Sequence, residues 1–285
     1  LWTTLRSTTR DPVFEQDQAR ADAVVQARQQ GQSWADAVAG RMERHYSPGR
    51  TWEATARGLL GLCRLGDVLD VASGDGALAE LVAPRARTVT CLDVSERVIT
   101  AARQRLEHLT DVRFVVGDMH QLPWDDASFD VATSFRGIWG TTPGALEDVR
   151  RVLRPGGKVA MTVWGDVRKS PGAWMFAPFL WAEAEKVDNQ AQMVSLGRPG
   201  VGEQFLSDAG FEPEQRFQVP CWLEYADPEG FARGMASSGP AYEAIQQIGE
   251  AEFHERAVAL ASGFVREGLP LRGEVQLFGY VGVKQ

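Results

Sequence analysis

Short apolar runs of strand length recur along residues 67–164, separated by stretches in which apolar residues fall at helical spacing. The runs at 67–71, 88–93, 112–118, 129–135 and 157–164 are rich in valine and bounded by turn residues, which predicts strands buried on both faces. Segments 76–83, 95–108 and 142–153 predict the intervening helices, with Ser95 as N-cap of the second and a turn at 154–157 (RPGG) after the third. This alternation predicts an α/β domain: a mainly parallel sheet joined by right-handed crossovers.

The flanks have a different rhythm. Residues 1–50 are polar and helix-favouring, with Val13, Phe14, Val24, Val25, Trp34, Val38 and Met42 at mixed helical spacing. They predict one or two amphipathic helices that end at the Ser47-Pro48-Gly49 break. A further helix is expected over 51–64, capped by Thr51. Beyond Gly165 an aromatic-rich helical insertion over 170–187 is followed by a helix at 200–209, a strand at 215–225, two or three helices within 227–267 and a last strand at 272–284. The expected division is an N-terminal helical segment, 1–50, and one domain, 51–285. Its first half, to residue 165, would bind a cofactor; 166–285 would shape the substrate lid and last strands.

Composition changes this picture little. At 44% hydrophobic and 24% charged, the chain is ordinary for a water-soluble globular domain. No apolar run is long enough to cross a bilayer, and no signal peptide is visible, so a cytoplasmic protein without a membrane partner is expected. Cys63, Cys91 and Cys221 are widely spaced and odd in number, which argues for reduced core thiols. The net charge of −8 weighs against direct nucleic-acid binding. Four histidines, His45, His108, His120 and His254, show no metal-ligand spacing, so no metal is expected. The chain opens at leucine, which suggests residues upstream.

The chemistry concentrates after the first strand, in 67-DVLDVASGDGALAEL-81. Small residues there let a ligand approach the backbone, and the next helix presents free N–H groups. The spacing A-x-G-x-G is neither the dinucleotide fingerprint nor a phosphate loop, which disfavours a nicotinamide oxidoreductase. Asp93 ends the second strand 17 residues after Gly76, where a carboxylate can accept from a ribose diol. Asp118 ends the third predicted strand, where it can accept from the adenine amino group beside an apolar contact from Met119.

The motifs VLDVASGDG, CLDVSERVITAAR, VVGDMHQLPWDDASFD and EDVRRVLRPGGKVAMTVW, in this order across about residues 50–165, resemble those of class I S-adenosylmethionine-dependent methyltransferases. The resemblance implies a Rossmann-like, seven-stranded, mainly parallel sheet with helices on both faces and S-adenosyl-L-methionine as cofactor. It further implies that Ala72, Ser73, Gly74 and Gly76 line the methionine and ribose, with Asp70 orienting the loop and the methionine ammonium. Asp93 would hold the ribose hydroxyls, Val94 would flank adenine, Asp118 and Met119 would meet its edge and face, and Ser134 and Phe135 would end the fourth strand beside the sulfonium. Asp93 as a helix-cap acid, Asp118 as a turn residue and Met119 as core filler are the structural alternatives. The family usually has glycine where Ala72 stands; alanine is the mildest replacement, and binding is expected to survive it.

For the acceptor, the strand-four end, 134-SFRGIWG-140, lacks the Asn/Asp-Pro-Pro-Tyr/Phe motif of amino-directed nucleic-acid methyltransferases, so a small molecule is expected. Trp139, Trp164, Trp174, Phe179 and Trp181 are candidates for an apolar pocket, with helix packing or a dimer surface as the alternative. Arg136 and His120 are the polar candidates, one to bind an acidic group, the other as base. Tyr46 could close over the cofactor. The insertion and the N-terminal helices leave room for a homodimer. LWTTLR, the Arg/Gln-rich helix and ERHYSPGRTWEATARGL before VLDVASGDG also resemble the linker between an arsenic-repressor-type winged-helix domain and a methyltransferase. A non-catalytic cofactor-sensing module is therefore the rival reading.

Overall fold

A computed structural model of the 285-residue chain describes residues 19, 21–22, 50–138, 143–181 and 195–285. The helices expected within 14–46, and the candidates Tyr46 and Trp139, lie outside the described residues. Two compact units divide the chain at Leu59/Leu60. That division falls in the last turn of helix α1 (Arg50–Leu60), and Thr51 lies within the helix rather than capping it.

In the second unit, strands β1 (Gly66–Val71), β2 (Ala86–Asp93), β3 (Val112–Val116), β4 (Phe129–Phe135), β5 (Leu153–Trp164), β6 (Phe211–Glu224) and β7 (Arg272–Lys284) form one seven-stranded sheet of order 3-2-1-4-5-7-6. The four pairings from β3 to β5 are parallel, and β7 runs antiparallel between β5 and β6. Helices α2 (Ala77–Val82), α3 (Glu96–Arg105), α4 (Pro143–Val152) and α5 (Val201–Asp208) flank it. Ser95 caps α3 as expected, its hydroxyl accepting from the Val98 amide at 3.4 Å.

Period-two alternation along β1 divides the core. Leu69 and Val71 join Leu92, Leu146, Val149 and Leu206 in the cluster shared with α4 and α5. Val68 packs with Ala79, Val89, Ile99 and Leu106 against α2 and α3 on the other face. A third cluster belongs to a helical cap made of α6 (Pro228–Ala236), α7 (Gly239–Ile248), α8 (Glu250–Arg266) and the 3₁₀ stretch Ala173–Trp181. Phe231, Met235 and Phe253 are buried at its centre. Asp227 starts α6 by accepting from the Gly230 amide at 2.6 Å, with Pro228 in the first turn.

Among the boundaries that differ from expectation, two bear on the sheet's central strands. The 154–157 turn does not precede β5 but bulges out of it: Phe129 pairs with Leu153, whereas Val131 pairs with Lys158. Strand β3 ends at Val116, which leaves Asp118 in the following loop.

Candidate active site

Strand order reverses between β1 and β4, so the chain leaves their carboxyl ends in opposite directions and opens a crevice there. The sequence-predicted residues at the ends of β1, β2, β3 and β4 converge on this edge. After Val71 the chain turns through Ala72 at φ 54, and the Ser73 amide donates to the Leu92 carbonyl at 3.0 Å. Left-handed backbone costs a non-glycine residue about 1 kcal/mol, which is why glycine is the easier occupant of position 72. The methyl group of Ala72 is tolerated because Gly137, at the end of β4, makes room. A Cβ on Gly137 would lie 2.5 Å from the Ala72 Cβ and 2.8 Å from the Ser134 Oγ.

Asp93 pins the loop from β2. Its two carboxylate oxygens accept from the Gly74 amide at 3.2 Å and the Ser95 amide at 3.0 Å. Each oxygen keeps a further lone pair for a ligand hydroxyl. Asp93 thus takes part of the cap-acid role through the Ser95 amide while keeping acceptor capacity at the end of β2. Gly74 faces open space, whereas Gly76 (φ 80) faces the protein: a Cβ there would lie 2.6 Å from Leu106 Cδ1. Gly76 therefore allows the close approach of the loop to Leu106 at the end of α3.

Asp70 is the most unusual group in the crevice. It is 2% exposed, accepts one hydrogen bond at 2.8 Å from Thr133 on β4, and keeps its Oδ2 buried without a partner. Burial pushes its pKa up to about 7 against the Thr133 hydrogen bond, and the charge of Asp93 adds to the rise. Next to it, burial and the Asp70 charge push the Cys91 thiol up to about 12, so it is a neutral core thiol. The Ser73 side chain lies beside that thiol. Buried polar atoms are nearly always satisfied, so the orphan Asp70 Oδ2 singles out this end of β1 as a place for a polar ligand.

Around the rim, Val94 is 76% and Phe135 41% exposed, which leaves their apolar faces available to a flat ring. Met119 is half-buried and packs on the α4-side core, so it is part filler and part surface. Asp118 is exposed and engaged: its Oδ1 accepts from the His120 amide at 2.9 Å and meets His120 Nδ1 at 2.7 Å. These contacts hold the Asp118 carboxyl below its ordinary range. The expected base His120 is therefore turned onto Asp118. Arg151 of α4 straps the same loop, donating to the carbonyls of Leu122 at 2.9 Å and Trp124 at 2.7 Å. Ser134 is fully buried, and its hydroxyl donates to the Val71 carbonyl at 3.0 Å. It ties β4 to β1 and offers no free hydroxyl to a sulfonium.

The aromatic candidates separate. Trp174 is half-buried against the cap core, stacked on Phe264 at 4.0 Å and Phe231 at 5.4 Å between ring centres, which is the helix-packing arrangement. Trp181 packs edge-on to Phe253 in the same core. Trp164, at the end of β5, meets Phe176 at 5.8 Å, and Phe176 meets Phe179 at 5.4 Å, so these form one aromatic run from the sheet edge to the cap. Arg136 follows Phe135 at φ 66 with its guanidinium carbon 5.9 Å from the Trp164 ring centre. Gly137, Thr133 and Arg151 are missing from the sequence reading: their roles depend on cross-strand register and loop contacts, and neither leaves a local motif. Among the described residues no cluster suited to a metal ion occurs, and no helix is long and apolar enough to cross a membrane.

Comparison with known proteins agrees with this geometry. Residues 68–157 match the family model described as a methyltransferase domain. Over 100 residues the chain is 45% identical to the ubiquinone/menaquinone biosynthesis C-methyltransferase UbiE of Dinoroseobacter shibae, covering 32% of this chain and 40% of that protein. Over 123 residues it is 33% identical to a demethylmenaquinone methyltransferase of Tropheryma whipplei, covering 41% of this chain and 50% of that one. The chain thus spans half or less of the length of these curated relatives. The crystal structure of the YcgJ protein of Bacillus subtilis shares the fold, with a TM-score of 0.54 at 18% identity over 81% of this chain and 99% of that one.

Proposed function

We propose that this chain, a class I S-adenosylmethionine-dependent methyltransferase by its domain at residues 68–157, moves the methyl group of that cofactor to a small-molecule acceptor. The observation that carries the reading is the buried Asp70 carboxyl near the end of β1, one oxygen of which has no partner, with Asp93 at the end of the neighbouring strand β2. The residues fit the group. An ammonium beside Asp70 would favour its ionised form and satisfy Oδ2. Asp93 has lone pairs left for a ribose diol, and Val94 and Met119 have apolar surface for the two sides of a purine. Asp118 has a second carboxylate oxygen for an amino group. The cofactor supplies an electrophilic methyl group on sulfur.

What the chain adds is alignment and exclusion of water. Displacement at a methyl carbon needs the nucleophile in line, and holding two reactants in register is a large part of the rate. No acid–base dyad is required unless the acceptor must lose a proton in the site. On this reading His120 is a positioning residue that holds Asp118 towards the adenine. The small-molecule acceptor is supported by the relatives, which are named as a ubiquinone/menaquinone biosynthesis C-methyltransferase and a demethylmenaquinone methyltransferase, and by the aromatic run that starts at Trp164.

Calorimetric titration of the full chain with S-adenosylhomocysteine, and separately with NADH, tests the reading. Micromolar binding of the first, absence of the second, and at least a thirtyfold loss in Asp93→Ala are expected. Failure to bind S-adenosylhomocysteine would remove the reading, and binding without turnover on any acceptor would favour the cofactor-sensing alternative.

A further inference from the structure

We propose that Arg136, mounted on the aromatic run of Trp164, Phe176 and Phe179, recognises the acceptor, and that this acceptor is a planar aromatic compound bearing an acidic oxygen. The inference rests on the methyltransferase reading and adds the acceptor class to it.

The backbone comes first. Among the described residues only three non-glycines have positive φ: Ala72, Ala127 and Arg136. Two of these flank the crevice, at the ends of adjacent strands β1 and β4. A long β-carbon-bearing side chain at φ 66 is retained where glycine would sit without strain, and such outliers cluster where a side chain is needed for function. The position is also tightly defined. The Arg136 amide donates to the Thr162 carbonyl at 3.0 Å, and the next residue, Gly137, is pressed against Ala72 of the cofactor loop. The turn that touches the donor side thus carries the cation, so distance from donor to cation is set by the fold.

The side chain comes second. The guanidinium lies 5.9 Å from the centre of the Trp164 ring. Trp164 continues edge-on into Phe176, and Phe176 into Phe179, with interplanar angles of 81° and 72°. A guanidinium beside aromatic faces stacks on flat rings and presents a planar fork of N–H donors at its edge. That combination suits a ligand that is itself flat and carries a carboxylate or phenolate-type oxygen. Cys221 of β6 lies near enough for the Arg136 charge to act on its half-buried thiol, which burial pushes up. A fixed cation beside an acidic O–H also favours its deprotonated form, which fits a site whose histidine is occupied by Asp118.

The test is calorimetry on the full chain saturated with S-adenosylhomocysteine, using naphthalene-2-carboxylate and the neutral naphthalene-2-carboxamide as probes, with wild type, Arg136→Gln and Arg136→Gly. Glycine accepts the backbone angle without strain, so a folding defect cannot mask its result. Wild type is expected to bind the carboxylate at least tenfold more tightly than the carboxamide. Both variants should lose that preference, bind the carboxamide as wild type does, and keep S-adenosylhomocysteine affinity within a few-fold. Equal binding of the two probes by wild type, a preference surviving in the variants, or no binding of either probe while S-adenosylhomocysteine binds would overturn the inference. Loss of S-adenosylhomocysteine binding by wild type itself would instead sink the cofactor reading, and this inference with it.

Discussion

Asp67 and Asp70 stand on the same strand and occupy opposite electrostatic settings. At the amino end of β1, Asp67 accepts from Arg87 Nε at 2.8 Å, Thr88 Oγ1 at 2.9 Å and Arg154 at 3.3 Å, and the Arg87 bond holds its carboxyl well below the usual range. Asp130 completes the cluster, accepting from the Asp67 amide at 2.7 Å and pairing with Arg154 at 2.8 Å. At the carboxyl end, Asp70 has one hydroxyl and a buried orphan oxygen. One end of the sheet saturates its acid and gains stability. The other leaves its acid unsatisfied, spending stability on a site shaped for a ligand.

The largest effect that would break this contrast is steric. Gly137→Ala should push Ala72 and Ser134 apart, lowering stability by about 2 kcal/mol, the usual cost of overpacking, and weakening S-adenosylhomocysteine binding more than thirtyfold. Denaturant melts with calorimetry on the same preparation measure both.

Titration sharpens the contrast next. The folded pKa of Asp70, about 7, lies above the unfolded value near 3.8, so the fold favours the protonated acid and this residue's contribution to stability falls as pH rises from about 4 to about 7. A cationic ligand wants the ionised form. S-adenosylhomocysteine affinity should therefore rise with pH by up to about tenfold per unit below about 7 and level off above, with Thr133, Cys91 and Asp93 the groups that face the titrating carboxyl. Asp70→Asn should flatten that profile. For Asp67 the sign reverses: its contribution is present above about pH 4 and is lost as the pH falls further.

Smaller still is the rim. His120→Ala should raise the cofactor Kd by about threefold to tenfold, the worth of one hydrogen bond to an exposed acid, and leave kcat near wild type. A kcat collapse with unchanged Kd would restore His120 as the base.

Much of this organisation is legible in the sequence because it is local. Valine-rich runs locate the five parallel strands, since both faces of a parallel sheet are buried, and the apolar patterns at 215–225 and 272–284 locate the two antiparallel ones. Asp93 stands out because a short acid at a strand end is a local pattern. What was not legible is what folding brings together from afar. The Asp67 cluster joins residues 20, 63 and 87 positions apart, and no motif connects them. Thr133 meets Asp70 only through the β1–β4 register. Trp174 and Trp164 look alike in a run of aromatics, yet one packs against the cap core and the other stands at the sheet edge. Ser134 looks like a ligand group at a strand end, and strand alternation turns it inward.

The most direct measurement compares Asp67→Asn with Asp70→Asn in two assays at pH 8, urea unfolding and S-adenosylhomocysteine titration. The account predicts a crossed result. Asp67→Asn loses about 1–2 kcal/mol of stability, the worth of charged hydrogen bonds, and binds as wild type. Asp70→Asn is at least as stable as wild type and binds at least tenfold more weakly. If Asp70→Asn bound S-adenosylhomocysteine as tightly as wild type, or if both variants lost both properties together, the division of the sheet into a stabilising end and a binding end would be wrong.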